Sequence, residues 1–308
     1  MKFLLFWRPV PACLPLLMLV ALLFGCAVPA VKVASSEPPL INPVSAIKRL
    51  PRVGLALGGG AARGFAHIGV IQVLEEAGLR PDMVVGTSAG SLVAAIYASG
   101  RSGVQLQQIA EGMEEATLTD WTLPIFSRGM LRGEALARYV NLQVGGKSIE
   151  NMAIPLGIVA TDLNSGEGIL FRRGDTGTAV RASSAVPSVF LPVRLGTREY
   201  VDGGLVAPVP VRYARQMGAE LVIAVDISDV PQGNAADGAV QVLLQTFSIM
   251  SKSINAFELR DADVVVAPAL KGVSGADFSS RRRLIDAGRV AMLAALPQYR
   301  AKLASLMR

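Results

Sequence analysis

The chain has 308 residues, 51% of them hydrophobic, with 31 Gly, 18 Pro and a formal net charge of +6. That is enough for one α/β domain with a large buried core, and length alone would also permit two. The charge surplus is small and Arg281-Arg282-Arg283 is its only tight run, which argues against a nucleic-acid partner and reads as a solvated loop or a helix start. The only cysteines, Cys13 and Cys26, lie at the N-terminus, and His67 is the single histidine, so neither a thiolate cluster nor a zinc centre is expected.

Lys2 and Arg8 precede an uncharged apolar stretch, Pro9 to Phe24, which ends in small residues at Gly25-Cys26-Ala27. This is the layout of a secretory signal peptide over residues 1–25. Leu23-Phe24-Gly25-Cys26 also resembles the bacterial lipobox, in which the cysteine becomes the lipidated first residue; Phe24 is bulkier than the residue usual there. An uncleaved N-terminal anchor is the competing reading. Residues 26–48 are rich in Pro, Ala, Val and Ser and read as a flexible tether reaching roughly 25 Å. The expectation is a bacterial envelope protein, lipid-anchored through Cys26 to the outer membrane and facing the periplasm, with its domain over 49–308.

Arg52 to Leu57 reads as a buried strand running into Gly58-Gly59-Gly60-Ala61-Ala62-Arg63-Gly64. A helix follows over Gly64 to Glu76, with His67, Ile71 and Leu74 on one face and Gly78 as its C-terminal stop. Asp82 to Val85 is a strand that ends in Gly86-Thr87-Ser88-Ala89-Gly90, and Ser88 to Ser99 a small-residue helix. Gln105 to Glu115 and Gly133 to Leu142 are predicted helices, separated by an aperiodic stretch around Trp121-Thr122-Leu123-Pro124. Ile154 to Ala160 and Gly168 to Phe171 read as paired strands with a turn at Asn164-Ser165-Gly166. Thr178 to Ser184 is a helix stopped or bent by Pro187, and Arg198 to Val201 a short strand ending at Asp202-Gly203-Gly204. Then come a helix (Val211 to Met217), a strand (Leu221 to Asp226), a long helix (Gly238 to Leu259), a strand (Asp263 to Val266) and a closing helix (Leu284 to Leu306). The alternation predicts a mostly parallel sheet covered by helices on both faces.

Gly86 to Gly90 matches G-x-S-x-G, the turn that lifts a serine hydroxyl clear of a sheet, with glycines where side chains would collide with the neighbouring strand or helix. Ser88 is therefore the candidate nucleophile, against the plainer reading of a helix N-cap. The earlier glycine turn supplies backbone N–H groups beside a helix N-terminus. A dinucleotide site would need an acidic residue at the end of the second strand, and a phosphate loop would need Gly-Lys-Ser/Thr; neither is present, so an oxyanion cradle fits better. The proton acceptor is either His67, which lies about one turn into an apolar helix face, or a carboxylate such as Asp202, whose following glycines allow close approach.

Gly-Gly-Gly-x-x-Arg-Gly, Gly-Thr-Ser-Ala-Gly and Asp-Gly-Gly in this order resemble the patatin-like phospholipases. Ala160-Thr161-Asp162-Leu163, Ala182-Ser183-Ser184-Ala185-Val186-Pro187 and Pro208-Val209-Pro210-Val211 extend the resemblance over roughly Arg52 to Gly288. The resemblance implies a three-layer α/β patatin-like fold and hydrolysis of fatty-acyl esters of phospholipids or lysophospholipids. It implies Ser88 as nucleophile, Asp202 as its dyad partner, Gly58, Gly59 and Gly60 as the oxyanion hole, Arg63 as support for that loop, and no cofactor or metal. His67 then belongs to the packing. Phe190-Leu191-Pro192 departs from the Pro-Pro usual there and is expected to alter the pocket wall. Membrane phospholipid is the expected partner; a lipidated envelope protein that binds acyl chains without turning them over is the rival reading.

Overall fold

Val53-Gly54-Leu55-Ala56-Leu57 is apolar without alternation, the pattern of a strand covered on both faces, and all five residues are buried. The computed structural model describes residues 49–114, 120, 128–228, 238–273 and 277–307. The expected leader, tether and Cys26, and the stretch Trp121 to Pro124, lie outside the described residues.

The strands are β1 (Val53–Leu57), β2 (Met83–Thr87), β3 (Gly129–Leu131), β4 (Leu156–Asp162), β5 (Gly168–Phe171), β6 (Ser188–Phe190), β7 (Val193–Leu195), β8 (Arg198–Asp202), β9 (Leu221–Val225) and β10 (Val264–Val266). The helices are α1 (Phe65–Glu76), α2 (Ala89–Ala98), α3 (Gly103–Glu111), α4 (Glu134–Gln143), α5 (Thr176–Ser183), α6 (Val211–Gln216), α7 (Ala239–Glu258) and α8 (Arg281–Leu306). The main sheet runs β10-β9-β1-β2-β4-β8-β7, with β5 also on β4. Strands β10, β9, β1, β2 and β4 are mutually parallel, whereas β5, β8 and β7 run antiparallel to their neighbours.

Alternate strand residues enter two separate cores, which makes the layers. Val53, Leu55 and Leu57 pack with Ile71 of α1, Ala94 of α2 and Leu284 of α8. Ala56, Val85 and Val222 face the other way, against Val211 and Ala214 of α6. Helices α1 and α8 approach each other through two glycines: a Cβ on Gly69 would lie 1.9 Å from the Ile285 carbonyl oxygen, and one on Gly288 1.9 Å from that of Ala66. Among the described residues no helix is long and apolar enough to cross a membrane.

The mostly parallel sheet with helices on both faces is as the alternation predicts, and the differences are local. Helix α3 starts at Gly103 because Ser102 and Gln105 form a reciprocal capping box. Helix α5 starts at Thr176 because the Asp175 carboxylate accepts the Thr178 N–H. The arginine run opens α8, so that helix begins at Arg281 rather than Leu284. Strands β3, β6 and β7, three residues each, were not expected; so short a run shows no period. With them the strict alternation of strand and helix breaks down between α5 and β8.

Candidate active site

Strand β4 brings the two halves of the site together. Its residues Ile158 to Thr161 pair with β5 along one edge, so the other edge is shared end to end by two strands. Strand β2 occupies it up to the pair Thr87–Val159, and β8 begins at the pair Asp202–Ala160. The chain leaving β2 and the last residue of β8 therefore converge at one point. Ser88 is the first residue past Thr87.

Ser88 adopts φ 52 and ψ −124, a strained conformation for a non-glycine residue. Glycine at both flanks makes the bend possible. A Cβ on Gly86 would meet the Gly90 carbonyl oxygen at 2.4 Å, and one on Gly90 would meet that of Leu57 at 2.1 Å. The elbow is held from both sides of its backbone. The Ser88 N–H donates to Ser183 Oγ at 2.9 Å, and Ser183 Oγ in turn donates to the Val159 carbonyl at 2.5 Å. The Ser88 carbonyl accepts the Ser91 hydroxyl at 2.6 Å.

Asp202 is 1% exposed, and its Oδ1 accepts the Gly204 N–H at 2.7 Å. Burial pushes its pKa up to about 6, with the Gly204 amide and then the Ser88 hydroxyl, which hydrogen-bonds the carboxyl, pulling the other way. Its backbone is anchored too, since the carbonyl accepts the Thr161 hydroxyl at 2.8 Å. Gly203 is required by crowding: a Cβ there would lie 2.2 Å from the Val159 carbonyl oxygen. Ser88 and Asp202 are thus neighbours, 114 positions apart in sequence.

His67 is not part of this pair. It is fully buried on α1 and its Nε2 contacts the Gly58 carbonyl at 2.8 Å. A carbonyl only accepts, so Nε2 carries the proton, and burial lowers the ring's pKa to about 4. The neutral imidazole fixes the start of the glycine turn.

The turn corrects one expectation. The Gly58 N–H donates to Val225 O at 3.1 Å and the Gly59 N–H to Pro208 O at 2.9 Å, so neither amide is open to an oxyanion. Both acceptors belong to chain far downstream: Val225 ends β9, which the parallel sheet lays beside β1, and Pro208 lies just before α6. Among the described residues, the N–H groups of Gly60, Ala61 and Ala89 have no acceptor. Arg63 is buried and its N–H closes the turn onto Gly60 O at 3.1 Å. Gly59 lies against the nucleophile, where a Cβ would sit 3.2 Å from that of Ser88.

A cavity of about 320 Å³ opens at Ser88. It follows α2 past Leu92, Val93 and Ile96 and is closed by apolar side chains of α3 and α4, including Met113 and Leu136 just beyond and within them; Ala61 and Phe190 also line it. Among the described residues that line it, Ser88 and Ser184 alone carry hydroxyls. Such a space suits a hydrocarbon chain.

A family model described as "Patatin-like phospholipase" matches residues 55–215, which contain both Ser88 and Asp202. The chain belongs to the patatin-like phospholipase family. An NTE family protein of Mycobacterium bovis is 38% identical over 207 residues, covering 67% of this chain and 57% of that relative. Patatin-like phospholipase domain-containing protein 6 of Mus musculus is 36% identical over 184 residues, covering 57% of this chain and 13% of that protein. The chain therefore spans little more than half the length of the first relative and a small part of the second. VipD from Legionella pneumophila shares the fold, with a TM-score of 0.56 at 14% identity, over 81% of this chain and 67% of that one.

Two further parts of the family pattern gain a physical role from the geometry. Pro208 and Val209 buttress the glycine turn, the former by accepting the Gly59 N–H and the latter by packing where a Gly58 Cβ would be. Asp162 is structural: it accepts the Asn164 N–H and pairs with Arg198 at 2.8 Å. The departure from the family pattern falls at Leu191, and the Phe190 before it is a wall of the cavity. Ser183 lies within the motif Ala182 to Pro187. Its contact with Ser88 spans 95 positions, and no local signal marks it.

Proposed function

We propose that the chain is a serine acyl hydrolase acting on fatty-acyl esters of phospholipids or lysophospholipids through a Ser88–Asp202 dyad. The observation that carries this reading is a serine hydroxyl on a strained backbone beside a buried carboxyl, at the mouth of an apolar cavity. Ser88 Oγ attacks the ester carbonyl while Asp202 takes its proton; the tetrahedral oxyanion rests on the amides of Gly60 and Ala61, with Ala89 at the start of α2. Asp202 then returns the proton to the leaving alcohol, and accepts one from the water that cleaves the acyl-serine. A carboxylate is a weak base in water, and burial is what makes Asp202 a stronger one here. The fatty chain lies in the cavity along α2.

A fluorophosphonate probe tests this directly. It should label the wild type and not Ser88→Ala, and Asp202→Asn should lose ester turnover while His67→Ala keeps much of it. The opposite pattern for those two would make histidine the base. No labelling and no turnover in the wild type would leave a lipid-binding protein. As part of the same reading, we propose cleavage before Cys26 and acylation of its thiol, which would anchor the chain in the bacterial envelope at the outer membrane. Mass spectrometry of the mature N-terminus tests that step.

A further inference from the structure

Helix α7 reverses the ordinary pattern of a surface helix. Its buried residues are Ser251, Asn255 and Glu258, all polar. They attach it by hydrogen bonds and charge: Asn255 Oδ1 accepts the Val209 N–H at 3.2 Å, Asn255 Nδ2 donates to Ser228 Oγ at 2.7 Å, and Glu258 pairs with Arg212 at 2.8 Å. The opposite side carries Val242, Ile249, Met250 and Phe257 at spacings i, i+7, i+8 and i+15, which one helical stripe collects. These four are between 45% and 67% exposed, and Thr246 and Ser253 between them add no charge. Single exposed apolar residues need no explanation, but a continuous stripe does.

We propose that the outer stripe of α7 docks the protein onto a phospholipid bilayer. The helix abuts the candidate site, because the Phe247 ring rests on Gly204, where a Cβ would meet it at 3.1 Å, and the Gly204 N–H holds Asp202. The stripe offers on the order of 400 Å² of apolar surface. That falls short of the ~800 Å² per partner usual in a stable protein–protein interface. A bilayer sets no such threshold; helices bind it by sinking an apolar stripe with cations at headgroup depth. The rim has that arrangement: the Arg260 guanidinium sits 5.0 Å over the Phe257 ring, and Lys252 lies beside the stripe. The inference goes beyond the hydrolase reading and uses it only in one arm of its test.

The test compares the full-length wild type with Ile249→Glu and Phe257→Glu, on vesicles of phosphatidylcholine and phosphatidylglycerol and on a soluble short-chain ester. The expected result is at least a tenfold loss of turnover on vesicles with the soluble ester hydrolysed as before. Equal rates on vesicles would overturn the docking surface. A wild-type dimer by sedimentation velocity that both variants dissolve would also overturn it, in favour of a second copy of the chain. If the wild type hydrolyses neither substrate, the hydrolase reading fails and the docking surface is judged separately. Ile249→Trp should then show emission quenched by brominated lipid beyond that of the wild type, and no added quenching would sink it.

Discussion

Asp202→Asn separates the cost of burying a charge from the value of having a base. The Asp202 carboxyl titrates near 6 in the folded protein against an ordinary 3.8, because burial disfavours its charged form. The folded state therefore binds this proton more tightly than the unfolded chain does. Stability falls as pH rises between about 4 and 6 and is flat beyond. At 1.36 kcal/mol per tenfold, the gap amounts to about 3 kcal/mol at neutral pH. Asparagine keeps an oxygen for the Gly204 N–H and removes the charge. The variant should thus be more stable than the wild type at pH 8 by up to about 3 kcal/mol, roughly 6–12 °C in Tm for a domain of this size. At pH 4 the advantage should vanish. His67, buried neutral with its pKa lowered to about 4, loses stability on the acid side in both proteins and cancels from the difference. Urea or thermal melts at the two pH values read the effect, and turnover should fall about 10²–10⁴-fold in the same variant. An Asp202→Asn protein no more stable at pH 8, or equally favoured at both pH values, would refute the argument that burial strains this carboxylate. In the wild type, kcat/KM should rise with pH through about 6 as Asp202 ionises, and a flat profile there would assign the base elsewhere.

Ser183→Ala leaves the Ser88 N–H and the Val159 carbonyl without their buried partner, a loss of about 1–3 kcal/mol; fluorophosphonate labelling should slow by about 10–100-fold with KM little changed. Ile96→Phe obstructs the cavity about 12 Å along α2 from Ser88, eight residues at a 1.5 Å rise; since an extended chain advances about 1.25 Å per methylene, the preferred acyl length should shorten to about nine or ten carbons in a chain-length series. Gly69→Val drives its side chain into the Ile285 carbonyl and should destabilise the fold by at least about 3 kcal/mol, visible as a lower urea midpoint.

Much of this architecture is legible in the residues because the signals are local. The apolar run of β1 and the capping glycine after α1 each act within a few positions. So does the G-x-S-x-G bend, whose glycines prove to be steric necessities at Leu57 and Gly90. The pairing of Ser88 with Asp202 is implied by the family resemblance that the order of motifs carries, and β4 supplies a physical cause for their proximity by seating two strands on one edge. What sequence could not disclose depends on partners from far along the chain. The glycine turn looks like three open amides, yet two are engaged by Pro208 and Val225, so the open donors lie one step later than the motif suggests. Ser183 is one serine among several until the fold carries it under the elbow. Helix α7 has a periodic apolar pattern that ordinarily marks a core-facing side, but its polar residues form specific bonds and turn that side outward.

The hydrogen bonds from Gly58 and Gly59 to Val225 and Pro208 also set an order of events during synthesis. A ribosome that has delivered only the first hundred residues has released the serine but none of the chain that shapes its anion cradle. Strand β9 must still slide in beside β1, a long-range closure that is slow compared with local helix formation. On the hydrolase reading proposed above, the anion cradle is therefore complete only once residue 225 has been made, well beyond the nucleophile in the chain.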